Sequence, residues 1–191
     1  MASNIVEAIQ KNLGLPELQK VDPNTQEVKK PENSTGDAFF YQAAVPAVLI
    51  GLYKFTRIKD GNTALCYNQS AGSLLQTILG DLTNQAVDKV SNYTGTTPEF
   101  TSENMERIAV EAVNILKKHI PEPNDAEVKS YFTGQRSNIL KFLPAGLQIG
   151  EVLQDDAIDD RTNKMEGPIS GNLHWIEKMF SGTDRKKEEN F

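Results

Sequence analysis

Between Gly36 and Arg57 the chain has almost no polar face. Phe39, Phe40, Ala43, Ala44, Val45, Ala47, Val48, Leu49, Ile50 and Leu52 leave no stripe that water could wet. A helix apolar all round has to be enclosed all round, so this segment belongs at the centre of the protein. Its alanine content favours helix over strand. Pro46 lacks the N–H that would bond the Gln42 carbonyl and should bend the helix at its middle. The sequence therefore predicts an all-α fold, an array of six or seven helices around a buried, Pro-bent central helix.

The enclosing helices announce themselves by periodicity. From Thr101 to Ile120, Met105, Ile108, Ala109, Ala112, Val113, Leu116 and Ile120 recur on one face. Thr101 serves there as N-cap, Lys117 and Lys118 suit the carbonyl end, and Pro121 stops the helix. From Ser70 to Tyr93 a second stripe runs through Leu75, Ile78, Leu79, Leu82, Ala86 and Val90; Gly80 is a break point and Gly95 a stop. Ile5, Val6, Ile9 and Leu13 predict a short amphipathic helix closed by Gly14. Residues 19–35, with Pro23 and Pro31, read as an irregular polar linker. Arg136 to Leu153 reads as another apolar helix with Pro144 inside, and Ile169, Leu173, Ile176 and Phe180 mark a last one. Val45-Pro46-Ala47-Val48-Leu49 and Leu143-Pro144-Ala145-Gly146-Leu147 share a Pro-Ala-x-Leu core, which raises an internal repeat against coincidence. The resulting organisation is an N-terminal helix and linker over 1–35, a helical array over 36–182 and a charged tail over 183–191.

Composition removes several functions. The 191 residues carry a net charge of −6 and a pI near 5.0, which disfavours nucleic acid and anionic membrane surfaces, both of which select for Lys and Arg. The apolar run from Ala38 to Tyr53 is shorter than the roughly 20 residues of a membrane span. The N-terminus shows no charged-then-apolar leader. Cys66 is the one cysteine, so no internal disulfide forms; a cytoplasmic setting and an inert thiol are expected.

The run Gln42-Ala43-Ala44-Val45-Pro46-Ala47-Val48-Leu49-Ile50-Gly51-Leu52, the downstream Leu-Leu-x-x-Ile-Leu-Gly of Leu74 to Gly80 and the Thr94–Gly95 turn before the next helix resemble the YidB-like family of small bacterial proteins over about residues 36 to 155. That resemblance implies an all-α array and a bacterial source, and it implies no chemistry. The chain departs from the family in its acidic loop and its extra C-terminal helix.

One polar cluster stands out, Gln154 to Glu166. Asp155, Asp156 and Asp159 spell the DDxxD with which isoprenoid synthases hold magnesium-bound diphosphate, but no second acidic motif accompanies it. Asp155, Asp159, Asn163 and Glu166 fall at positions one, five, nine and twelve of an EF-hand-like loop, a calcium or magnesium site in outline. Ala157 and Asp160 occupy positions where such loops need an oxygen donor and a glycine. The simpler reading is a solvated loop whose aspartates cap their own backbone.

His119 and His174 have no ligand-spaced partners, and there is no nucleophile elbow or phosphate-binding glycine loop. In the last helix Leu173, Trp175, Ile176, Met179 and Phe180 cover more than one face, which makes Trp175 and Met179 candidate partner-binding residues against the alternative that the helix caps the core. The leading expectation is a non-catalytic protein acting through protein contact or self-association. Metal binding on the acidic loop is the alternative, and an apolar-ligand carrier the third.

Overall fold

The computed structural model describes residues 4–22, 28, 36–58, 62–67, 72–155 and 158. Among them there is no strand, and the fold is all-α as expected. Six helices carry it: α1 (Ile5–Leu13), α2 (Gly36–Ile58), α4 (Leu74–Leu79), α5 (Thr83–Thr94), α6 (Pro98–His119) and α7 (Asp125–Leu140), with the short α3 (Ala64–Tyr67) and α8 (Ile149–Leu153) between and after them.

The centre is α2. Every residue from Gln42 to Tyr53 is buried, and α4, α5, α6 and α7 pack around it. The helix runs unbroken through Pro46, although an interior proline costs about 3 kcal/mol in an isolated helix. Burial on every side offsets that cost. At 23 residues α2 is longer than its apolar run, and by length and composition it could cross a bilayer, yet 78% of its most apolar window is buried against the rest of the protein. Gly51 lets α4 approach closely: a Cβ there would meet the Leu79 side chain at 2.8 Å.

The helix ends follow local chemistry. Asn4 caps α1 by accepting from the Val6 N–H, and Gly14, in the left-handed region at φ 63°, closes it, with the Leu15 N–H reaching the Gln10 carbonyl at 2.9 Å. Gly80 does divide the 70–93 stripe: Ser73 caps α4, a 3-10 turn spans Gly80–Leu82, and α5 ends on Gly95 at φ 74°. A second cap for α4 comes from far along the chain. The Glu106 carboxylate accepts from Ser73 Oγ at 2.6 Å and from the Leu74 and Leu75 N–H groups at 2.8 and 2.9 Å.

Two expectations need correction. The long helix starts at Pro98 with Thr97 as its cap, so Thr101 is a fully buried interior residue. Thr97-Pro98-Glu99 is a cap, a first-position proline and a first-turn acid, a stronger start signal than Thr101 supplies. Arg136 to Leu153 is not one helix either. α7 begins at Asp125, capped by Asn124, and ends at Leu140; a turn, a 3-10 segment over Ala145–Leu147 and α8 follow. Pro144 sits at a break, whereas Pro46 lies inside a continuous helix, so the two Pro-Ala-x-Leu stretches are different structures.

The N-terminal helix packs fully. Ile5, Val6 and Ile9 are 0% exposed within the common core, where α1 lies against α6 and α7. Two buried amides reinforce this. Gln135 Oε1 accepts from the Ile5 N–H at 3.2 Å. Gln42, on the central helix, accepts from the Gln19 N–H at 2.7 Å through Oε1 and donates through Nε2 to the carbonyls of Gln19 at 3.0 Å and Phe142 at 2.8 Å. The segment after Gly14 is thus strapped down as far as Val21, whose N–H donates to the Lys141 carbonyl at 2.8 Å, with Leu18 buried beneath it.

Candidate functional site

The described residue pattern that most resembles a contact surface lies where the start of α2 meets the α5–α6 turn. Gly95 reverses the chain there, and a run of hydroxyls secures the reversal: Thr94 Oγ1 to Thr96 Oγ1 at 2.8 Å and Thr96 Oγ1 to the buried Thr101 Oγ1 at 2.9 Å. Thr97 then accepts from the Phe100 N–H, which sets Phe100 on the first turn of α6. Phe100 meets the enclosed Phe40 ring edge-on at 5.0 Å, and the half-buried Phe39 stacks on the half-buried Tyr93 at 5.2 Å. Asn104, itself buried, accepts at Oδ1 from the Tyr41 hydroxyl and from Arg107, each at 3.0 Å, and donates to the Phe100 carbonyl at 2.9 Å. Phe100 remains 37% exposed, one of three large apolar side chains among the described residues that stand out from the surface, with Val110 and Ile58. Two aromatic pairs, Phe40–Phe100 and Phe39–Tyr93, thus join the start of α2 to α6 and α5, next to the hydrogen bonds of Asn104.

Most of the residues singled out in the sequence fall elsewhere. Of the metal candidates, Asp155 alone is described: its N–H donates to the Gly150 carbonyl at 2.9 Å and its carbonyl accepts from the Ile158 N–H at 3.0 Å, a turn after α8. Asp156, Asp159, Asn163 and Glu166 lie outside the described residues, as do Trp175, Met179 and His174. Among the described residues no three His, Cys, Asp or Glu side chains come together as a metal site. Cys66 is 2% exposed on α3, and burial pushes its thiol up, opposed by the charge of Lys117, so the thiolate needed for reactivity is disfavoured. Sequence reasoning missed the aromatic face because its residues come from three helices and follow no single periodicity.

A second polar feature sits at the other end of α6. An open groove of about 710 Å³ runs past His119, Pro121, Glu122, Glu127, Ser130 and Tyr131. His119 Nδ1 lies 2.9 Å from the Ile115 carbonyl, as suits a helix end, and its ring is 5.5 Å from that of Tyr131. The Tyr131 hydroxyl is enclosed without a hydrogen-bond partner among the described residues, and desolvation pushes its pKa up to about 12. An orphaned buried hydroxyl typically costs about 1–3 kcal/mol. Tyr131→Phe should therefore raise the unfolding free energy by about 1 kcal/mol at neutral pH. Tyrosine is neutral in both states below about pH 10. Between there and about pH 12 the unfolded chain loses the proton first, so stability falls as pH rises, and the phenylalanine variant should show a shallower fall. Denaturant melts of both proteins from pH 7 to 11.5 measure this, and a destabilised variant would mean that the hydroxyl is bonded.

Together the fold and these surfaces define a class, an all-α helical array. The chain matches no protein-family model, no curated protein and no solved structure.

Proposed function

We propose that the protein works by protein–protein contact, self-association included, rather than by catalysis. The observation that carries this reading is Phe100, 37% exposed although its ring is set against the buried Phe40, near the start of the helix whose Phe39 stacks on Tyr93. Rigid aromatic rings lose little freedom on binding and supply large apolar area, which is why interface hot spots favour them. Two-fold homodimers, in which the same patch of both subunits meets, are the commonest soluble oligomers, so self-association is the form of contact tested first. Asp37 on α2 and Glu99 and Arg107 on α6 are exposed polar residues of the same two helices. A bacterial, cytoplasmic setting and kinship with the YidB-like family belong to the same proposal; the order of a proline-bearing core helix, the Leu74–Gly80 segment and the Thr94–Gly95 turn supports them.

Sedimentation velocity over a concentration series tests the reading with wild type and Phe100→Ser. The wild type should associate, and the variant should weaken association at least tenfold while keeping its helical circular dichroism. Identical monomers throughout would remove the support for self-association through this face.

A further inference from the structure

We propose that the outward stripe of α6 receives the α6 of a second copy, laid antiparallel across it, with Glu103 of each chain meeting Arg107 of the other. The inference rests on the self-association reading and adds to it the direction of the contact and the groups that set its register.

Phe100, Glu103, Arg107 and Val110 follow one another at intervals of three, four and three residues. On a helix that spacing puts them on one stripe, as along a coiled-coil seam. All four are exposed, while Thr101, Met105, Ile108 and Ala112 of the same helix are buried against the body. Phe100 and Val110, each 37% exposed, are two of the three large apolar side chains that stand out among the described residues.

The charges on this side of α6 divide in two. Glu106 and Glu111 are engaged by the chain itself: Glu106 caps α4, and Glu111 accepts from Asn12 Nδ2 at 2.7 Å. Glu103 and Arg107 stand four apart with the acid nearer the N-terminus, the order that favours an ion pair along a helix. No such pair forms between them. Arg107 gives one nitrogen, Nη1, to Asn104, and Glu103 has no side-chain bond among the described residues.

The stripe reads apolar, acid, base, apolar, and it is symmetric about the level of Met105. Along the axis Glu103 and Arg107 lie about 4.5 Å and 9 Å from Val110 and Phe100 respectively less than a turn either way, so the four levels are evenly disposed about that centre. Reversed and laid over itself, the stripe brings each Phe100 level with the partner's Val110 and each Glu103 level with the partner's Arg107, the relation of a two-fold contact. Laid parallel, it would set acid against acid and base against base. The complement of the stripe is thus the stripe read backwards, which makes a second copy its occupant. Three helical turns cover less than the roughly 1,200 Å² of stable complexes, so the contact is weak and reversible.

Charge reversal tests the register by sedimentation velocity over a concentration series. Glu103→Arg and Arg107→Glu each set like charges opposite one another twice in the dimer, and each should weaken association about tenfold. An equimolar mixture of the two single variants restores opposite charges at both places, as does the chain carrying both substitutions. Both should return association to the wild-type range, and recovery in the mixture shows that the single variants are folded. Association that Phe100→Ser weakens but neither reversal affects overturns the antiparallel register and leaves the self-association reading standing. Loss in the single variants with no recovery in the mixture or the double variant overturns it as well. A wild type that stays monomeric removes both.

Discussion

Phe40→Ala should lower the unfolding free energy by about 3–5 kcal/mol, the range for emptying a phenylalanine site in a close-packed core. Phe40 is 0% exposed near the start of α2, and its ring meets those of Tyr41 and Phe100 at 5.1 and 5.0 Å. The neighbours that could collapse into the space are pinned: Tyr41 by its bond to Asn104, Phe100 by the Thr97 cap. The cavity should therefore stay open, which puts the cost toward the upper end. Chemical denaturation followed by circular dichroism measures it. A loss below about 1 kcal/mol would mean that Phe40 is not enclosed, and with it that α2 is not the centre.

Gln42→Leu should cost on the order of 3 kcal/mol despite nearly conserving volume. Three bonds vanish together, leaving the Gln19 N–H, the Gln19 carbonyl and the Phe142 carbonyl without this partner. Each buried orphan costs about 1–3 kcal/mol, but the total is capped because the strap can lift away and recover water. The response should therefore be local before it is global. Amide exchange at Gln19 and Val21 should accelerate far more than exchange in α2 or α6. Uniform acceleration across the protein, or none, would contradict the view of Gln42 as the fastening of the strap.

Much of this fold was readable from residue pattern because its determinants are short-range. A segment apolar on all sides, the stripe of α6 and the glycines at 14, 80 and 95 each act within a turn or two of chain. α6 starts at Thr97-Pro98-Glu99 rather than at Thr101 because a proline at the first helical position is the stronger start signal. The same residue type misled in the other direction at Pro144. Enclosed on every side, α2 runs on through Pro46, whereas Pro144 lies after the end of α7 and leads into the 3-10 segment. What could not be read was tertiary. Gln42 sits in an apolar run with nothing to say that it faces Gln19 and Phe142, and residues 19–22 look like featureless linker until Gln42 and Lys141 are placed beside them. The aromatic pairs Phe39–Tyr93 and Phe40–Phe100 link three helices, and no periodicity spans that distance.

The Glu106 carboxylate at the head of α4 has a consequence for the order of events in folding. A six-residue helix is far below the length that holds itself together in water, and here its first turn is signed for by a side chain some thirty positions downstream. On the ribosome residues 74–79 emerge well before Glu106 does. That stretch must wait, unwound, until α6 has been synthesised and brought back to it, so the earlier element in the chain is the later one to take shape.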